Sequence, residues 1–377
     1  MRAPQTATFA REEQLRELDD LARKSEHVHL NPDRIGEVAA IAPKSFATGW
    51  IRPFQDTDEH YGRRAIELGE LDQLQYALVS AAQIWLIWER NENGKATPLT
   101  MTVEGTKYVG SATLGACHAR AVRSGQNILD AKVLASFTMK DVEDHYRDED
   151  TGKVKVQLLD ERLANFRELG EVLLREFDGH FINVLRRADG YLFRPDGNGF
   201  IQLLEKHFPR CFGDWPLAKL PYVFTFSLLD MREARQFAPE IDRLLRFKDL
   251  ENLEGGADYY RPWFFLRVGV LEIDEELKSR LRSHTLIEAG SRLENDYRVS
   301  TIEAMRALAR AMGGDYVAAM RLLERETHAQ ALLRCRRCRV GISDEELPCP
   351  YRGVCKATHE DHELMECVFP LVLTSEY

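Results

Sequence analysis

The 377-residue chain is 44% hydrophobic, enough apolar mass to bury a large core, and its length admits one big domain or two ordinary ones, so overall disorder is excluded. A formal charge of -10 speaks against a protein whose main task is tracking a long phosphate backbone, although residues 334–339 (RCRRCR) form a local basic patch. The opening MRAPQTATFAREEQLRELDD lacks the apolar core of a secretory signal, and no segment approaches about eighteen consecutive apolar residues, so a cytoplasmic, non-membrane protein is expected.

Residues 9–24 and 61–79 carry apolar positions at spacings of three and four, which predicts two amphipathic helices with a polar loop between them. A short sheet follows. QIWLIWE (83–89) is rich in aromatic and β-branched residues, Asn93-Gly94 is a hairpin-turn dipeptide, LTMTV (99–103) alternates, and residues 107–109 add a third strand. From Ala112 the pattern turns helical, most clearly over 158–177, where Leu159, Leu163, Phe166, Leu169, Leu173, Leu174 and Phe177 are predicted to line one face. The loop ADGYLFRPDGNG (188–199) and Pro209, Pro216 and Pro221 punctuate the run, and residues 315–333 predict one more helix. The expected fold is mainly α with a small antiparallel sheet. Its expected parts are N-terminal helices and sheet (1–111), a helical domain (112–333) and a cysteine-rich tail (334–377).

Two stretches have the makings of a site. In GGADYYRPWFF (255–265), Asp258 stands beside Tyr259 and Tyr260, with Arg261 and Trp263 close behind. Aromatic rings stack on a flat base, and a carboxylate near a sugar stabilises positive charge developing at its anomeric carbon. The same string also reads as a helix start, with Asp258 as its cap and the aromatics in the core. In GSRLENDYR (290–298), Glu294, Asp296 and Arg298 share a face if the segment is extended, whereas Glu294 and Arg298 form an i,i+4 pair if it is helical. Cys117-His118 does not read as a nucleophile with its base, because adjacent helical residues point about 100° apart; a buried cysteine and a surface histidine are expected.

Five of the seven cysteines crowd into the tail. Cys335-x2-Cys338 and Cys349-x5-Cys355 supply four thiolates in two pairs, enough for structural zinc or a [4Fe-4S] cluster, with His359, His362 and Cys367 as alternative ligands. Cys349 is followed by Pro350, as cluster-ligating cysteines often are. The tail is too short and polar to build a core of its own, so a metal is a reasonable means of holding it.

At these stretches the chain resembles the queuosine salvage family, the queuosine 5′-phosphate N-glycosylase/hydrolases, over roughly residues 25–310. The similarity lies in Leu159-x-Glu161-Arg162 opening a long helix, in Phe177-x-Gly179-x-Phe181-x-Asn183, in the Phe208-Pro209 turn with Asp214, in ADYYRP, and in Glu294, Asp296 and Arg298. The resemblance implies a helical fold related to helix-hairpin-helix DNA glycosylases, and hydrolysis of an N-glycosidic bond that frees a 7-deazaguanine-like base from a small nucleoside or nucleoside 5′-phosphate. It implies a catalytic role for Asp258 and substrate contacts from Tyr259, Tyr260, Arg261, Glu294, Asp296 and Arg298, with no cofactor needed for the hydrolysis. Departures stand at Ala81, Ala112, Gly256 and residues 222–225 (YVFT), and the cysteine tail replaces the family's tryptophan element, which together predict a shifted substrate. Two rival expectations are action on a base flipped out of DNA or RNA and non-catalytic binding of a nucleobase.

Overall fold

The computed structural model describes residues 9–47, 67–335, 338 and 349–376. In chain order they form α1 (Arg11–Arg23), β1 (Val28–Leu30), α2 (Pro32–Ala47), α3 (Glu70–Gln83), β2 (Trp88–Arg90), β3 (Ala96–Pro98), β4 (Thr100–Val103) and β5 (Thr106–Val109). Next come α4 (Ser111–Arg123), α5 (Ala131–Ala135), α6 (Met139–His145), α7 (Leu159–Glu176), α8 (Ile182–Ala188), α9 (Phe200–His207), α10 (Lys219–Ala234) and α11 (Pro239–Leu244). The last group is α12 (Tyr260–Val268), β6 (Leu271–Ile273), α13 (Glu275–Ser283), β7 (Leu286–Ile287), α14 (Arg292–Met312), α15 (Tyr316–Ala329), the π-helical Gln330–Cys335, α16 (Lys356–His359) and β8 (Leu371–Val372). The protein is thus mainly α, with strands only in short pairs. No described helix is long and apolar enough to cross a membrane.

Contacts divide the described residues into two compact units, one holding 9–11, 67–250 and 374–376, the other 12–47, 251–335, 338 and 349–373.

The first unit is built around α7. The predicted face holds at Phe166, Leu169, Leu173 and Phe177, but Leu174 is exposed, and Arg162 and Asn165 are buried in the stripe instead. Arg162 explains a second departure: its guanidinium lies 3.9 Å from the centre of the Trp85 ring and donates to the carbonyls of Gln83 (3.0 Å) and Trp85 (2.9 Å). Those carbonyls are therefore not offered to a neighbouring strand. The strand expected over 83–89 shrinks to Trp88–Arg90, and Gln83 ends α3. Residues 61–66 of the second predicted helix lie outside the described residues. The hairpin turn is as predicted, with Gly94 at φ 71° and its N–H on the Asn91 carbonyl. The third strand is present too, as β5 paired antiparallel with β4.

Helices α5 and α7 meet at Gly170. A Cβ there would lie 2.2 Å from the Ala135 nitrogen and 2.4 Å from the Ala131 carbonyl oxygen, so two backbones touch where a side chain would stand. Gly170→Ala is expected to lower the unfolding free energy by about 3 kcal/mol, because backbone cannot rotate aside as a side chain can. Urea unfolding measures this, and a loss under about 0.5 kcal/mol would mean the α5 contact is dispensable.

In the second unit β1 pairs antiparallel with β6, and β7 pairs parallel with β8, a pairing the antiparallel expectation did not contain. The expected polar loop after α1 is instead β1 and α2, a helix opened by Pro32 with Ile35, Val38, Ala39 and Ala42 buried. The predicted helix over 315–333 is present as α15 and its π-helical extension. The described tail is not a free-standing module, since Tyr351, Ala357, Cys367, Val368, Phe369 and Leu371 are buried in this unit's core.

Candidate active site

From Leu253 to Val270 every residue is buried, and four of them, Glu254, Asp258, Arg261 and Arg267, are of charged type. Buried charge is costly unless paired, so the partner of each matters. Glu254 takes both Nε and Nη2 of Arg306 at 2.8 Å. Arg261 joins two acids, donating from Nη1 to Asp258 Oδ2 and from Nη2 to Glu324 Oε1. Glu324 also accepts from the Gly256 N–H at 3.0 Å, which pins the loop ahead of Asp258. The partners of Arg267 are carbonyls, a thioether and the face of the Trp263 ring.

Asp258 sits at the start of α12. Its Oδ1 accepts from the N–H groups of Tyr260 (2.9 Å) and Arg261 (3.0 Å), so the carboxylate occupies the unsatisfied first turn, where the helix dipole favours negative charge. The capping expectation is therefore met. Glycine is required just upstream, since a Cβ on Gly255 would come within 2.7 Å of Met305 Cγ. The Tyr259 and Tyr260 rings lie 4.7 Å apart, and Phe369 packs against both, at 5.3 and 4.8 Å. Tyr297 OH donates to the Tyr259 carbonyl at 3.1 Å; burial first, and then the nearby Asp258 charge, push its phenol well above the usual range.

The segment 290–298 is helical from Arg292, so Glu294, Asp296 and Arg298 do not share a face as they would in a strand. Glu294 closes the α14 N-terminus, its N–H on Ser291 Oγ at 3.3 Å and its carboxylate on the Gly290 N–H. Asp296 Oδ2 accepts from the N–H groups of Glu26 (2.7 Å) and His27 (3.0 Å), holding the entry to β1. Arg298 Nε donates to the Ala257 carbonyl at 3.1 Å. Of the three, Arg298 bears directly on the Asp258 loop; Glu294 and Asp296 hold other backbone.

Glu324, Tyr297 and Phe369 were not singled out from the sequence. Glu324 left a signal there: on α15 it follows the buried Met320 by four residues and Leu323 by one, a charge in an apolar stripe. Phe369 left none, because it lies more than a hundred residues from the rings it touches.

Residues 68–324 match the family model described as queuosine salvage protein. The chain belongs to the queuosine salvage family. It is 29% identical over 209 residues to the queuosine 5′-phosphate N-glycosylase/hydrolase of Sphaerobacter thermophilus, a match covering 55% of this chain and 62% of that protein. It is 24% identical over 225 residues to the protein of the same description from Mus musculus, covering 57% and 61%, and 26% identical over 224 residues to that from Nematostella vectensis, covering 56% and 59%. The matches thus span about three-fifths of the length of these relatives. The queuosine salvage match takes in Asp258, Arg261, Arg298 and Glu324 and stops short of the cysteine tail, Phe369 included.

Several stretches that carry the salvage-family resemblance do structural work in the first unit. Gly179, at φ 81°, ends α7 with its N–H on the Leu173 carbonyl at 2.8 Å, and Asn183 Nδ2 donates to the Phe177 carbonyl at 2.9 Å. Asp214 accepts from the Lys219 N–H at 3.1 Å. Ala81 lines a shallow, mostly apolar groove between α3 and α10, together with Ser80, Ile84, Leu220, Val223 and Ser227.

Cys117 is buried as expected, and burial pushes its thiol up to about 12. His118 is not on the surface. It is 1% exposed, with Nδ1 2.8 Å from Nε2 of His145, whose own Nδ1 lies 3.1 Å from Gln126 Oε1. The stripe of α4 faces the core more broadly than its apolar letters indicate, because a neutral imidazole with a partner is tolerated there.

Proposed function

We propose that the chain hydrolyses the N-glycosidic bond of a small nucleoside or nucleoside 5′-phosphate carrying a 7-deazaguanine-like base. The observation that carries this reading is the buried Asp258 carboxylate at the head of α12, beside the Tyr259 and Tyr260 rings, in a chain of the queuosine salvage family. The relatives' description as queuosine 5′-phosphate N-glycosylase/hydrolases supports the reaction type. In the reaction water adds its oxygen to the anomeric carbon, the bond from that carbon to the base nitrogen breaks, and the base leaves with a proton. Asp258 stabilises the positive charge on the sugar or orients the water, Tyr259 and Tyr260 face the base, and Arg261 holds the carboxylate in place from the side of Glu324. Glu294, Asp296 and Arg298 act by fixing the backbone around this centre. A heterocyclic nitrogen is a better leaving group than an alcohol, so no second carboxylic acid need flank the bond.

A second reading rests on the two N–H bonds to Asp258 Oδ1: the residue is an anchor for α12, and the protein binds a nucleobase without turning it over. Mass spectrometry of the products of queuosine 5′-phosphate, queuosine and guanosine 5′-phosphate tests the choice. Free base from at least one supports hydrolysis. With Ala81, Ala112 and Gly256 at the positions where the chain departs from the family pattern, queuosine 5′-phosphate is expected to be a poor substrate, at about 1 to 3 kcal/mol for each buried polar group of the base left unpaired. Binding of all three with no base released would favour the anchor reading.

A further inference from the structure

Arg267 is 2% exposed, and its guanidinium has no carboxylate partner among the described residues. Nη1 donates to the Cys335 carbonyl at 3.0 Å and contacts Met365 Sδ at 3.5 Å, Nη2 donates to the Met365 carbonyl at 3.2 Å, and Nε has no partner. The other buried residues of charged type in this stretch, Glu254, Asp258 and Arg261, are in ion pairs. A buried cation with no carboxylate partner calls for a counter-charge. The guanidinium also lies 5.0 Å from the centre of the Trp263 ring, which does not neutralise it, and cysteine-bearing chain is close by. The Arg267 carbonyl receives Cys355 Sγ at 3.4 Å, so the chain segments bearing Cys335 and Cys355 meet at one residue of α12. None of Cys335, Cys338, Cys349 and Cys355 is in a disulfide.

We propose that Cys335, Cys338, Cys349 and Cys355 bind one thiolate-held metal centre whose negative charge neutralises Arg267 and clamps the tail to α12. Four cysteines each release a proton to solvent on binding. Four thiolates around Zn²⁺, or around a [4Fe-4S]²⁺ core, leave a net charge of about -2, which is the counter-charge the guanidinium lacks. Among the described residues no three His, Cys, Asp or Glu side chains are arranged as ligands of a common ion, and residues 339–348, which join the two thiol pairs, lie outside them. On this proposal the two thiol pairs draw together when the metal binds. The same tail carries Phe369 to the Tyr259 and Tyr260 rings and Cys367, whose carbonyl accepts from Trp263 Nε1 at 2.9 Å, so the clamp bears on the candidate site.

The test is metal analysis of the full chain purified without chelator from cells given zinc and iron. About one zinc in a colourless protein, or about four irons with absorption near 400 nm, supports the proposal and distinguishes the two forms. Arg267→Met is expected to weaken retention against a competing chelator about tenfold or more, whereas Cys117→Ser and Cys211→Ser leave metal content unchanged. A metal-free chain whose four tail thiols react equally with and without added zinc overturns the proposal. So does metal that survives the double substitution Cys335→Ser, Cys355→Ser.

Discussion

Asp258→Asn is expected to lower the rate of base release by about two to three orders of magnitude, the scale lost when one preorganised electrostatic group is removed from a transition state. Asparagine is the informative substitution because its Oδ1 still accepts from the Tyr260 and Arg261 N–H groups, so the α12 cap survives. What it removes is the charge opposite Arg261, which keeps Glu324 as a partner. The stability cost is then about 1 to 3 kcal/mol, and it shows separately as a lowered melting temperature. Alanine would remove the cap as well and confound the two roles. Single-turnover rates on whichever nucleotide yields free base, read beside thermal unfolding, decide the matter. A folded Asp258→Asn protein of near-normal rate would make Asp258 an anchor only and move the chemistry elsewhere.

The second large effect is on acid stability. Burial holds the His118 imidazole down to about 3, and burial followed by the charge of His118 holds His145 well below its ordinary range. Both rings are neutral in the folded protein. In the unfolded chain each protonates near about 6.5, so between about pH 6.5 and 3 the unfolded state binds more protons and stability falls as the pH falls. The stabilisation is complete above about 6.5 and is lost on acidification, at up to about 2 kcal/mol per ring between pH 7 and 5. Urea unfolding at pH 7, 6 and 5 measures the slope. A His118→Gln, His145→Gln double variant, which retains amide hydrogen-bonding groups without the titration, should show a flatter acid limb. Equal slopes in the two proteins would place the acid sensitivity in other groups.

The resemblance motifs fall into two physical kinds. Arg162, Gly179, Asn183 and Asp214 satisfy backbone at the ends of helices, which explains why they stand out in a string without being chemical. Asp258, Arg261 and Arg298 converge on one loop, and that convergence rests on side-chain bonds invisible to spacing.

Local pattern determined the helices α1, α7 and α15, the Asn93-Gly94 turn and the capping of α12 by Asp258, because each depends on periodicity or on groups within a few residues of one another. The start of α2 falls in the expected polar loop although it left a local signal, in Asn31, whose Oδ1 accepts from the Asp33 N–H, followed by Pro32 and the spaced Ile35, Val38 and Ala42. Tertiary structure alone decided that Trp85 lies outside a strand, since Arg162 takes its carbonyl, and that Glu294 and Asp296 turn away from each other, since the segment is a helix. It also paired Arg261 with Glu324, brought Phe369 onto Tyr259, joined His118 to His145 and set the Arg267 guanidinium against the Cys335 and Met365 carbonyls. These are contacts between residues far apart in the chain. Their energy comes from excluding water around a particular pair, and nothing in a residue's own neighbourhood along the sequence records which partner the fold will bring to it.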